Sequence, residues 1–207
     1  MRSVGVRLRG RAARRQTCTR RQALLALAVA TPLVPTLAWA ESVVVPAGLQ
    51  AELLAKVVDY DRNFAARAGD RARVLLVAQP TNADSKTAVQ QMAAALGRIS
   101  DMGGLPHERT IVPYTGAADL ARMCRERRIA VIYFGPGFRD DVPDIRAALT
   151  GVDVLSVASV PDYVRDGIVF GFDLVSGRPK LLLNLTQAKL QNVAMKAAVL
   201  KLMQVFE

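Results

Sequence analysis

The sequence predicts an α/β fold: a three-layer α/β/α sandwich on a mainly parallel sheet, with a late antiparallel β-hairpin and a C-terminal helix. Three observations point there. Segments with apolar residues at helical spacing alternate with short apolar runs, and strand–helix–strand repeats give right-handed crossovers and a parallel sheet. The runs at 73–78 (RVLLVA) and 129–134 (IAVIYF) are almost continuously apolar, as strands covered on both faces are. Ser176-Gly177-Arg178 separates two further strand-like runs, the signature of a hairpin.

The elements follow in order. Leu49, Leu53, Leu54, Val57 and Val58 recur at helical spacing and predict an amphipathic helix over 47–67, ended by Gly69-Asp70. The first strand is 73–78. Asn82 or Asp84 caps the next helix, whose inward stripe is Val89, Met92, Ala93, Leu96 and Ile99. Gly103-Gly104 breaks the chain before a short strand at 109–114, and Pro113 keeps the end of that strand from a central place. A helix over 117–128 closes on Arg125, Arg127 and Arg128, which complement the helix dipole. The strand at 129–134 stops at Gly135-Pro136-Gly137. A short helix at 142–149, a strand at 152–157 and a helical turn at 161–165 come next. Strands at 168–174 and 180–185 form the hairpin. A last helix is expected over about 186–206, with Leu190, Val193, Ala194, Ala197 and Leu200 on one face.

The front of the chain speaks of location. Residues 1–21 hold eight arginines and no acid, an apolar stretch runs from Ala23 to Ala30, and Ala38-Trp39-Ala40 makes an A-x-A site. That is the layout of a secretory signal peptide, so 1–40 is expected to be removed after Ala40 and 41–207 to work in the periplasm as a single α/β domain. Arg20-Arg21 followed by an apolar run also fits a twin-arginine signal, which leaves two export routes open. Pro32 and Pro35 interrupt the apolar run, against a retained membrane anchor.

The leader also carries most of the charge. The whole chain has 28 basic residues, 18 acids and a net charge of +10; without the eight leader arginines, 20 bases face 18 acids and the net charge is +2. Nucleic acid is therefore not an expected partner. Cys18 would leave with the leader, and Cys124 would remain alone as a small buried residue with no internal disulfide partner.

Catalytic chemistry is poorly supplied. His107 is the chain's one histidine, in a loop read as solvated, and no G-x-S-x-G, H-E-x-x-H, CxxC or G-x-G-x-x-G is present. One His and one mature Cys argue against a zinc site. Asp140, Asp141 and Asp144 could hold a cation, but carboxylates at a helix start are explained by the dipole. No catalytic residue, metal or cofactor is assigned.

A ligand, if there is one, belongs beyond the C-terminal ends of the parallel strands, near the switch in strand order. The loops there are 79–84, 114–116, 135–138 and 158–159. Gln79, Thr81, Asn82, Ser85, Tyr114 and Thr115 offer neutral donors and acceptors beside Gly135, and Phe138 and Tyr114 offer rings. Such a crevice suits a small polar molecule, a peptide or a cell-wall fragment. The opening and closing helices carry surplus apolar area, including Met195, Leu202, Met203 and Phe206, that would suit a partner or a second copy.

The last third carries a further pattern. Ser156-Val157 leads through Asp162-Tyr163 to Asp166-Gly167-Ile168-Val169-Phe170; after the hairpin come Leu183-Asn184-Leu185, Ala188 and a closing LKLMQV. With the opening helix bearing Tyr60 and Phe64 and the RVLLVA strand, this resembles the YfiR-like family of bacterial periplasmic regulatory proteins. The family's frequent cysteines and the Trp-Pro after its opening helix are missing. The resemblance implies a non-enzymatic regulator that binds the periplasmic part of a membrane signalling protein (a diguanylate cyclase, sensor kinase or receptor), with a homodimer as a further expectation. It carries no catalytic motif, and Gly167, Asn184 and Leu200 match it as structural positions. A small-ligand binding module related to solute-binding domains is the competing expectation.

Overall fold

A computed structural model describes residues 45–207; the expected leader, 1–40, lies outside the described residues. Seven strands form one mixed sheet: β1 (Ala72–Ala78), β2 (His107–Pro113), β3 (Val131–Phe134), β4 (Leu155–Ala158), β5 (Phe170–Val175), β6 (Arg178–Asn184) and β7 (Met203–Phe206). Their spatial order is β2-β1-β3-β4-β5-β6-β7. All neighbours pair in parallel except β5 with β6, the expected hairpin. The sheet is thus mostly parallel with helices on both sides, as the alternating pattern predicts.

The helices divide by face. Helices α1 (Ala47–Val57), α2 (Phe64–Ala68) and α3 (Ala83–Leu96) pack with Val74, Leu76, Val131 and Val157 into one apolar cluster. Helices α4 (Ala117–Glu126), α5 (Val142–Leu149) and α6 (Pro161–Asp166) pack with Leu75, Val77, Ile132 and Phe134 into the other. Alternate residues of the buried strands therefore feed opposite cores, which is why those strands read as unbroken apolar runs. Strand β2 is the exception. It lies on the edge and four of its seven residues in succession, from Glu108 to Ile111, are exposed, so Pro113 interrupts no inner ladder.

Two expectations need correction. The opening helix does not run unbroken over 47–67: it stops at Val57, passes through a 3-10 turn (Val58–Tyr60), and restarts at Phe64. The break is made by a buried charge. Asp61 is extended (φ −86°, ψ 114°), bridges Met195, and pairs with Arg67 at 2.7 Å with both side chains almost wholly buried. Its other oxygen accepts the Asn63 and Ala194 amides at 3.1 and 2.9 Å. Arg67 also reaches Asp153 Oδ1 at 2.7 Å and the Asn192 carbonyl at 2.9 Å. A buried ion pair needs such complete satisfaction to be tolerated, and an unbroken helix could not supply it.

The closing helix over 186–206 is the second correction. Helix α7 spans only Leu185–Leu190, a short α8 spans Ala197–Leu200, and the chain ends as strand β7 against β6. Asn192 (φ 55°) stops α7: the Val193 amide bonds back to the Ala188 carbonyl at 2.8 Å and the Asn192 amide to that of Lys189 at 3.3 Å. That is a Schellman ending with Asn in the left-handed position usually held by Gly. The positions matched to the family do hold structure. Gly167 (φ 130°) ends α6, Asn184 caps α7 through the Gln187 amide at 2.9 Å, and Leu200 packs on the core.

Candidate functional site

The strand order fixes where a site can form. From β1 the chain leaves through α3 to the outer strand β2, then returns through α4 over the opposite face to β3. The order therefore reverses between β1 and β3, and the loops after those strands part at their C-terminal ends.

The eight residues expected there are brought together, mostly to one another. The Gln79 amide donates to Ser85 Oγ at 2.9 Å, and Asn82 Oδ1 caps α3 by accepting the Ser85 amide at 2.8 Å. Gln79 Nε2 reaches Asp141 Oδ2 at 2.9 Å, tying this loop to the start of α5. Ser85 is wholly buried, and a Cβ on Gly135 would come within 3.1 Å of its Oγ. Gly137 (φ 90°) lies so close to Asn82 that a Cβ would meet the amide at 2.8 Å, so that position admits only glycine. Phe138 is fully buried, edge-on to Tyr114 (5.2 Å) and Phe134 (5.4 Å), and its amide donates to the Tyr163 hydroxyl at 2.9 Å. Tyr114 is half-buried; burial first, then the carboxylates of Asp141 and Asp144, push its phenol up to about 12. Thr81 and Thr115 alone present fully exposed side chains.

A cavity of about 310 Å³ lies beside this knot, on the α1–α3 face. Its walls are the start of α1 (Val45, Pro46, Ala47) and the outer side of α3 (Asp84, Thr87, Ala88); Tyr133 and Ser159 stand at the ends of β3 and β4. Gln50 fixes one corner. Its Nε2 donates to the Val45 carbonyl at 2.7 Å, and its Oε1 accepts the Tyr133 hydroxyl at 2.9 Å. Burial drives the Tyr133 phenol well above the ordinary tyrosine value, opposed in part by the adjacent Ser159 hydroxyl. Ser159 is 4% exposed, and beyond its approach to the Tyr133 hydroxyl its Oγ makes no hydrogen bond of good geometry among the described residues. Sequence reasoning names the loop 158–159 but not its serine hydroxyl, nor Tyr133, one residue before the end of the IAVIYF run. Position alone could have found both, since each lies within one residue of the C-terminal end of a parallel strand.

The reactive groups lie elsewhere. His107 is not in a solvated loop. It opens β2, at the N-terminal end of the sheet and so opposite the cavity, with Nε2 3.1 Å from the Ile99 carbonyl. Cys124 is buried in α4, and burial, opposed only by Arg125, raises its thiol to about 12. It therefore holds no reactive thiolate near neutrality. Among the described residues no three His, Cys, Asp or Glu side chains gather in a way that could hold a metal ion. Nor is any described helix long and apolar enough to cross a membrane.

Comparison with known proteins agrees with the fold. A conserved domain protein from Vibrio cholerae aligns with a TM-score of 0.54 at 13% identity, covering 78% of this chain and 60% of its own. The ABC domain in complex with L-Trp from Streptococcus pneumonia aligns with a TM-score of 0.54 at 15% identity, covering 78% and 62%. The chain thus spans about three-fifths of each of these structures, and at such identities the likeness is one of fold alone. No curated protein sequence matches. The YfiR/HmsC-like family model, by contrast, matches residues 49–204, nearly the whole described chain. That match covers well over half of the sequence, and the chain belongs to the YfiR/HmsC-like family.

Proposed function

We propose that this protein is a non-enzymatic periplasmic regulator that binds the outer part of a membrane signalling protein and sets its activity. The family is periplasmic and regulatory rather than catalytic, and its match over 49–204 is the observation that carries the reading. A diguanylate cyclase is the first partner to test, ahead of a sensor kinase or receptor. The positions of the reactive groups support it: the one histidine is at the far end of the sheet from the cavity and the thiol is buried.

The C-terminal edge is the surface we assign to docking. The hairpin outruns its neighbour: the last β4 partner is Gly171, and 172–175 continue beyond it to the turn at Ser176 and Gly177. Val175 is 46% exposed there, and Leu202, just before β7, is 73% exposed. Apolar side chains left outside on an edge of this kind suit a protein partner better than water. A photo-crosslinking residue at Leu202 should capture a membrane protein in cells, and the same residue at exposed Arg122 on α4 should not. Equal capture at both positions, or of soluble proteins only, would overturn the assignment. A homodimer through this edge would appear instead as a crosslink between two copies.

A further inference from the structure

From the α1–α3 cavity we infer a binding site for a small, non-anionic amphipathic molecule, apolar at one end and carrying a hydroxyl, amide or ammonium at the other. The inference goes beyond the docking role and does not rest on it.

The cavity has the size, lining and unmet demand of a ligand site. At about 310 Å³ it falls at the small end of the range of roughly 300–1,000 Å³ that such sites occupy. Val45, Pro46, Ala88 and Val160 make most of its surface apolar. The polar groups split into spent and unspent. Gln50 uses both ends of its amide on Val45 and Tyr133, and Tyr133 uses its proton on Gln50. Ser159 Oγ, in the same corner, is buried beside the Tyr133 hydroxyl, whose proton is already committed to Gln50, and makes no hydrogen bond of good geometry among the described residues. An unpaired buried hydroxyl is costly and can both donate and accept, so a molecule presenting one polar group there supplies what the protein does not. Charge narrows the class. Asp84 is the single formally charged residue among those lining the cavity, and none of them is basic. A carboxylate or phosphate would enter uncompensated beside an anion; a neutral or cationic head would not.

The test uses three probes of one shape and different heads: benzyl alcohol, benzylamine and benzoate, each titrated into the purified protein and followed by amide chemical shifts. Saturable shifts at Ala88, Gln91 and Val160 are expected with the alcohol and the amine, and weaker binding or none with benzoate. Ser159→Ala should weaken the binding of benzyl alcohol by about threefold to tenfold, as loss of one hydrogen bond does, while the unliganded protein melts no lower than wild type. Ala88→Leu, which fills the cavity from α3, should abolish the shifts in a folded protein. Absence of saturable shifts with all three probes, tightest binding by benzoate, or unaltered binding in Ala88→Leu would each overturn the inference. Crosslinking at Leu202 is a separate readout, so failure here leaves the docking proposal standing.

Discussion

Two of the buried polar centres among the described residues are built on opposite terms. At the joint between the opening helices and the C-terminal segment, Asp61 and Arg67 are almost wholly buried and every contact is taken up, by Asp153, two backbone amides and the Asn192 carbonyl. At the mouth of the sheet, Tyr133 and Gln50 satisfy each other and Ser159 is left over. The first arrangement holds charges and leaves nothing to offer; it is a fastening. The second holds neutral groups around an open volume and keeps one hydroxyl in reserve. Burial is the same at the two centres; what differs is how completely their hydrogen bonds are met and whether open volume adjoins them.

That contrast can be broken from either side. Asp61→Ala has the largest expected effect. It removes the buried one of the Arg67 guanidinium's two carboxylate partners and leaves two backbone amides unpaired, and a buried pair broken this way costs about 3–5 kcal/mol, readable as a large fall in the denaturation midpoint. Arg67→Ala should fall as far; a loss below about 1 kcal/mol in both would show that the joint opens to water. Gln50→Leu comes next. It removes two buried hydrogen bonds and orphans the Tyr133 hydroxyl, a cost of about 1–3 kcal/mol, with the start of α1 losing hydrogen-exchange protection first.

Alkaline titration probes another buried group. Burial raises the Cys124 thiol from 9.0 to about 12. A raised folded-state value means that the folded state holds its proton more tightly than the unfolded one. The resulting stability is complete below pH 9 and is lost as the pH climbs through about 12. Cys124→Ala should flatten the first part of that decline, and an unchanged pH profile would place the thiol in contact with water. Ser159→Ala has the smallest expected effect, with stability within about 0.5 kcal/mol of wild type; a large loss would mean that the hydroxyl is bonded after all.

Much of the sheet was legible because burial on two faces leaves a plain mark. RVLLVA and IAVIYF, Pro113 near an edge, and Ser176-Gly177 at the hairpin turn all carry their roles in their composition. The two misread segments share a cause. Periodicity carries 47–67 and 186–206 as single helices, yet Asp61 leaves the helix to meet Arg67 and Ala194, and Asn192 turns left-handed where Asn63 Nδ2 and Arg67 bond its carbonyl. Each break is made by the other, across the length of the chain, and no local window contains both. The site was half legible. Its location follows from topology, and the loops named do gather at the C-terminal ends of the parallel strands. Whether Ser85 or Ser159 keeps a free hydroxyl depends on what stands opposite, which spacing does not encode.

The long-range joint also sets an order for folding. Asp61 is bonded to a residue 133 positions later, and Arg67 to one 125 positions later. Residues 61–67 therefore cannot complete their contacts until residues 192–194 are available, and the joint between them closes late in folding.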